Sequence, residues 1–279
     1  MTPPLRHDRD VNHDDRTYTV EPGTPAPKPM TAQVVLAGIA LLIILSLLVS
    51  QVASCAAPRS GTIPDPQRPE TLALHFGGTD RGGRAVTLAQ LDRLRVIPSR
   101  PDVPGYRRAN FGPGLTEIGS DAAPGAYGGN GCRTLDDVRA AQLVNVTAVR
   151  KGRCARVPTA GTLRDPYQGG KAINWSNRNA AGVQADHVLA LDYLWDLGAG
   201  KWGQSKRAMV SNDPLNLVLT EGRVNSSKGS RGPSQWTPSN RAGACFLASR
   251  QVQVAAKYGV AIPRADKASL ATTIKGACT

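Results

Sequence analysis

Val34 to Val49 is an almost unbroken apolar run inside a stretch, Pro29 to Pro58, that carries no charge. A surface helix of a soluble domain keeps one polar face, and this run has none, so it must leave water for a bilayer or a secretion channel. With its flanks it reaches the ~20 residues that a bilayer span needs. It also has the form of a signal h-region, although those usually run ~7–15 residues. Val52-Ala53-Ser54-Cys55 closes the run as a lipoprotein signal closes, with small residues before a cysteine. Lipidation at Cys55, an uncleaved span and a cleaved signal are three open readings, and all of them put residues 56–279 outside the cytoplasm. The expected localisation is export with a cell-surface membrane anchor, free secretion being the lesser alternative. The membrane is thereby an expected partner through this segment.

The cysteines agree with export. Of five, Cys55 is the odd one if it is lipidated. Cys132, Cys154, Cys245 and Cys278 remain as an even set suited to an oxidising compartment. Three pairings are possible, and closeness in sequence favours Cys132–Cys154 with Cys245–Cys278, each loop worth ~3 kcal/mol in the chain-entropy picture. Buried free thiols are the alternative. A structural zinc site is disfavoured, because no CxxC pair exists and His187 has no histidine neighbour.

The chain divides into a polar leader (1–30), the apolar segment (31–55), a tether rich in Gly, Pro and Thr (56–99) and one domain (100–279). A formal charge of +13 points to a polyanionic partner: nucleic acid, an anionic membrane or an acidic wall polymer. Within the tether, Leu88, Leu91 and Leu94 predict a short helix over Thr87–Val96. The domain predicts a helix over Thr134–Gln142 capped by Thr134, and short strands at Leu143–Val149 and Gly161–Leu163. A strand at Val183–Leu189 leads to a helix reaching Gly198. After an Asp213-Pro214 turn come a strand at Leu215–Thr220 and a short helix from Arg223. Thr237-Pro238 is expected to open a long helix ending at Tyr258, and a last helix runs over Ala265–Lys275. The class is α+β with little sheet.

Chemistry concentrates in Asp186-His187, Asn216, Asn225 and Lys228. His187 is the sole histidine of the domain. A carboxylate and a carboxamide oxygen can hold a hard cation such as Mg²⁺. An imidazole can take a proton from an attacking water, and the cation can stabilise charge on phosphorus and the leaving oxygen. The bland alternative is a buried Asp-His pair, with the asparagines serving as turn and cap residues.

GYRRANFG, NGCRTLDDV, GTLRDPYQG, ADHVLAL, NDPLNL, NSSKG and RAGACFLASRQVQVAAKYG occur in that order from about residue 100 to the end. Together they resemble HNH endonucleases, in particular the secreted actinobacterial group related to the C-terminal nuclease domain of GmrSD-type restriction enzymes. The HNH domain of the RNA-guided CRISPR nuclease is similar, with the same nine-residue step between its two asparagines. The resemblance implies a ββα-metal (His-Me finger) core with added helices. It implies Asp186 and Asn225 as metal ligands, His187 as general base and Asn216 as the brace that orients the imidazole. Lys228 would reach a substrate phosphate; apart from the resemblance, the basic residues around the site in sequence, Arg223 and Arg231 among them, are candidates for further phosphate contacts. The cofactor would be a divalent metal, Mg²⁺ first with Mn²⁺ or Zn²⁺ as alternatives, and no small-molecule cofactor or protein partner is inferred. Asp165 and Tyr167 belong to a motif read as core structure. Two departures, Arg133-Thr134-Leu135 after NGC and a missing tryptophan near Leu115, bear on substrate contacts.

From Lys201 to Lys257 nine basic residues stand against two acids, Asp213 and Glu221, as phosphate contacts would require. Trp195, Trp202 and Trp236 could stack on bases, though core packing is the commoner use of tryptophan. The expected function is a metal-dependent endonuclease cutting DNA, with RNA second. A catalytically inactive DNA-binding or uptake module is the alternative.

Overall fold

The computed structural model describes residues 81–115 and 127–278. The leader, the apolar segment, Cys55 and the tether up to residue 80 lie outside them. Among the described residues no helix is long and apolar enough to cross a membrane. Backbone proximity separates Met1–Ser60 from Gly61–Thr279, and all described residues fall in the second unit.

Helix α1 (Arg81–Arg93) leads into the two-residue strand β1 (Val96–Ile97) and a 3₁₀ turn at Arg108–Phe111. Helix α2 (Thr134–Gln142) precedes an antiparallel sheet of β2 (Leu143–Lys151), β3 (Cys154–Asp165) and β4 (Lys171–Ser176). Strand β5 (Val183–His187), helix α3 (Leu191–Asp196) and helix α4 (Gln204–Asn212) follow. Strand β6 (Leu217–Glu221) pairs antiparallel with β5, Asp186 opposite Val218 and His187 opposite Leu217. Helix α5 (Gly222–Lys228) leaves β6 directly. Long helix α6 (Arg241–Tyr258), strand β7 (Ile262–Pro263) and helix α7 (Arg264–Ala277) complete the chain, with β7 parallel to β1.

The class is α+β, as the patterning requires. Strand β6 is apolar on both faces because it lies between two cores. Leu217 and Leu219 enter a cluster with Val138, Leu163 and Trp175 on the three-stranded sheet. Val218 enters the helical cluster that holds Leu91, Leu194, Leu247 and Ile274. The β5–β6 ribbon is therefore held from both sides, and its ends are fixed in position. Both disulfides, Cys132–Cys154 and Cys245–Cys278, form with the pairing favoured by sequence closeness.

Several elements differ from expectation. The tether reading runs too far: α1 and β1 belong to the folded unit, with Leu91 in the core and Val96 paired to Ile262. Helix α2 begins at Thr134 but is not capped by it, because the Thr134 hydroxyl donates to Asn212 Oδ1 at 2.8 Å instead. Helix α6 starts at Arg241 rather than at Pro238. Its N-cap is Asn240, whose Oδ1 accepts from Gly243 N at 2.7 Å while its Nδ2 donates to the Tyr167 carbonyl. Strand β3 is far longer than three residues. Pro158 and Gly161 hide its pattern, yet Gly161 lets Leu143 pack within 3.1–3.3 Å of where a side chain would stand.

Candidate active site

The centre is built on the β5–β6–α5 unit. Asp186 and His187 end β5, and both are 5% exposed. Asp186 Oδ1 accepts from Lys228 Nζ at 2.9 Å, and Oδ2 accepts from the Tyr167 hydroxyl at 2.7 Å. Burial pushes the Asp186 carboxyl up from its ordinary range, against the Lys228 charge and these hydrogen bonds. Lys228 is the last residue of α5 and is itself 1% exposed. Its ammonium also donates to the His187 carbonyl at 2.8 Å. The resemblance implies that this lysine reaches a phosphate, whereas in the fold it turns inward as the counter-ion of Asp186.

The imidazole is oriented by one contact that settles its tautomer. His187 Nε2 lies 2.9 Å from the Ser211 carbonyl. A carbonyl only accepts, so Nε2 carries the proton and Nδ1 holds the lone pair. Burial, followed by the positive charges of Arg108 and Lys228, pushes the imidazole pKa down to about 3, and the Ser211 bond opposes them. The ring is neutral at physiological pH, which a proton acceptor requires. An anionic phosphodiester beside Arg108 would raise its basicity.

Asn216 is fully buried. Its Oδ1 accepts from Leu189 N at 2.9 Å, and its Nδ2 donates to the carbonyls of Val210 (3.1 Å) and Leu189 (3.4 Å). Its backbone carbonyl accepts from Val188 N at 2.9 Å. Asn216 thus ties the two residues after His187, Val188 through its backbone and Leu189 through its side chain, to Val210. It thereby links the segment that follows His187 to the residue that precedes Ser211, the imidazole's hydrogen-bond partner.

Asn225 lies on α5 with Nδ2 donating to Gln184 Oε1 at 2.9 Å. The bond fixes the carboxamide and leaves Oδ1 as the acceptor for a cation. Helix α5 approaches this closely because Gly222 opens it; a Cβ there would collide with the Ala181 carbonyl. Asp186, His187 and Asn225 line one open cleft of about 250 Å³ together with Arg108, Asp192 and Ser230. The remaining expected contacts are peripheral. Arg223 is exposed and pairs with Glu221 Oε1 at 2.5 Å, and exposed Arg231 donates to the Ser227 carbonyl.

Two residues of the centre, Tyr167 and Arg108, escape sequence reasoning, while Asp165 is the buried core residue expected. Tyr167, read as core, is buried, but its hydroxyl is spent on Asp186. Asp165, wholly buried, accepts from Tyr167 N, Gln168 Nε2, Glu221 N and the Thr220 hydroxyl, which locks the end of β3 to β6. Arg108 sits on the 3₁₀ turn, exposed and facing the imidazole. Arg207 holds that turn by donating to the Asn110 carbonyl at 2.7 Å. The motifs GYRRANFG and GTLRDPYQG mark these residues in the sequence without revealing that they converge. Trp195 and Trp202 pack edge-on and stacked against Tyr106 and Tyr258 respectively, and Trp236 lies on Tyr167.

A proton acceptor, a carboxylate, a carboxamide and an exposed cation around one small open cleft make a centre suited to hydrolysing an anionic ester. Among the described residues no three His, Cys, Asp or Glu side chains converge into an all-protein metal cage. Residues 134–273 match the C-terminal domain of GmrSD restriction endonucleases, and the chain belongs to that family, a family of nuclease type. An uncharacterized secreted protein of Arthroderma benhamiae is 30% identical over 186 residues, covering 66% of this chain and 81% of that protein. No solved structure matches.

Proposed function

We propose that the protein is a metal-dependent HNH-type endonuclease that hydrolyses phosphodiester bonds of DNA, with RNA as the second candidate. The observation that carries this reading is the pinned imidazole. The Ser211 carbonyl accepts a hydrogen bond from Nε2–H, so Nδ1 is left as the base beside Asp186 and Asn225 on an antiparallel ribbon followed by a helix. The nuclease family of the chain supports it.

The donor set fits a hard divalent cation, Mg²⁺ first and Mn²⁺ or Zn²⁺ as alternatives. Asp186 and Asn225 offer two oxygens to one cleft, and a carboxylate has about four lone-pair sites, so Asp186 can keep its Lys228 and Tyr167 bonds while accepting a further ligand. When bound, such a cation would stabilise charge on the phosphate and on the leaving oxygen. The other work falls to the chain itself. His187 Nδ1 takes the proton of the attacking water, Asn216 keeps the ring aimed, and Arg108 holds a non-bridging phosphate oxygen. Lys228 serves as the counter-ion of Asp186, opposing the effect of burial, rather than touching substrate. Arg223 and Arg231 serve flanking phosphates.

Export fits the two disulfides, because such bridges persist in oxidising compartments. The apolar segment and Cys55 supply the anchor in this reading. Supercoiled plasmid incubated with the full-length protein and Mg²⁺, Mn²⁺ or EDTA tests the proposal. Metal-dependent nicking supports it. A gel shift with uncut plasmid under every condition would instead identify a binding module.

A further inference from the structure

We propose that the β2–β3 hairpin is a docking arm for duplex nucleic acid, gripping the phosphate backbone about one helical turn from the cleavage site. The inference rests on the nuclease reading for where cleavage occurs, but its test reads binding alone.

The charge of this element is one-sided. In β2–β4 and their connections, Arg150, Lys151, Arg153, Arg156 and Arg164 are exposed, and none is ion-paired among the described residues. Lys171 pairs with Glu221 at 3.1 Å. The sole acid is Asp165, which is fully buried and consumed by its own hydrogen bonds. Four cations crowd the tip, on either side of the turn at Gly152 and Arg153. Like charges so placed repel one another, which a solvated surface gains nothing by and a polyanion relieves.

The arm is also rigid and correctly placed. Cys154 opposes Lys151 across the turn and is bridged to Cys132 in the loop before α2. Gly131, with φ +83°, lets that loop close on Arg153, where a Cβ would stand 2.7 Å from the arginine's own. At its other end, β3 finishes at Asp165, two residues from the tyrosine that holds Asp186. Strand β3 has 12 residues, so at ~3.3 Å per residue the tip lies up to roughly 35 Å from that end. This is the ~34–36 Å repeat of a DNA duplex.

The occupant is a duplex rather than a single strand. Single-strand grooves interleave cations with aromatic platforms for the bases. Between Leu143 and Ser176 the aromatic residues are Tyr167 and Trp175, both buried. What the arm exposes is point charge, which reads phosphates and not bases.

The test uses full-length protein in EDTA and a dye-labelled 24-base-pair DNA duplex, with affinity followed by anisotropy from 50 to 200 mM NaCl. Replacing Arg150, Lys151, Arg153 and Arg156 by Ser should weaken binding at least tenfold. It should also flatten the slope of log K against log salt by about 3 to 4, at ~0.9 per lost phosphate contact. An 8-base-pair duplex, too short to reach the tip, should bind both proteins alike. Arg150→Lys, Arg153→Lys and Arg156→Lys together should keep the wild-type slope, which separates lost charge from a damaged fold. An unchanged slope for the serine variant would overturn the proposal. So would tip-dependent capture of phosphatidylserine vesicles with duplex affinity untouched, which would make the arm a membrane contact. Absence of cleavage by the wild type would leave the binding result intact and count against the nuclease reading only.

Discussion

Lys228 separates a surface phosphate contact from a buried counter-ion, and the two assignments make opposite statements about stability. Its side chain is 1% exposed, with the ammonium 2.9 Å from Asp186 Oδ1 and 2.8 Å from the His187 carbonyl. Lys228→Met keeps the apolar stem and removes only the charge. It strands a buried carboxylate, and breaking a buried pair in this way costs ~3–5 kcal/mol. With a urea m-value of ~2 kcal/mol/M for a domain of this size, the midpoint should fall by about 2 M. Asp186→Asn should cost a comparable amount, because it strands the ammonium. The double variant should recover at least ~2 kcal/mol of the summed loss, since neither charge then remains. Urea unfolding of all four proteins, followed by tryptophan fluorescence in EDTA, closes the cycle. A surface contact would cost no more than ~0.5 kcal/mol. A Lys228→Met midpoint within that margin, or strict additivity in the double variant, would refute the buried pair.

Arg108 should behave in the opposite way to Lys228. Arg108→Ala, at an exposed position, should leave the urea midpoint unchanged and cut cleavage about 100-fold, the order reported for losing one transition-state donor; a full rate would exclude it from phosphate binding. The imidazole makes the fold acid-sensitive. With its pKa at about 3 in the fold against an ordinary 6.5, the unfolded chain takes up the proton first. Its stabilising contribution is therefore complete above pH 6.5 and is lost as the pH falls toward 3. Between pH 7 and 4.5 in EDTA, wild type should lose about 2–3 kcal/mol more than His187→Gln, at ~1.4 kcal/mol per unit; parallel losses would sink that account. The Cys245–Cys278 bridge closes 33 residues, worth about 3.7 kcal/mol. Replacing both cysteines by Ala should lower Tm by roughly 7–15 °C, and a shift under 2 °C would contradict it.

Much of the frame was legible in the sequence, for identifiable reasons. Strand β6 announces itself as a short apolar run after the Asp213-Pro214 turn, and the disulfide pairing by loop length. Asp186, His187 and Asn225, which line one cleft, and the buried Asn216 lie near one another because ribbon and helix are contiguous in sequence. What escaped depends on distance along the chain. Tyr167 reaches Asp186 from 19 residues away, and Ser211 reaches His187 from 24. Arg108 arrives from an element with no regular period. The resemblance sends Lys228 to a substrate phosphate, whereas the fold turns it inward to pair with the buried Asp186, a contact 42 residues apart in sequence. Strand β4 and helix α4 carry too mixed a pattern to be read at all, and only their packing defines them.

The most direct test of the account is single-turnover cleavage of a defined DNA duplex by full-length wild type and His187→Ala, each with Mg²⁺ or with EDTA and with folding verified by circular dichroism. The account predicts cutting by wild type in Mg²⁺ alone, and a folded His187→Ala protein that binds the duplex but leaves it intact. Wild-type rates in the folded variant would remove His187 as the base, and the proposed chemistry with it.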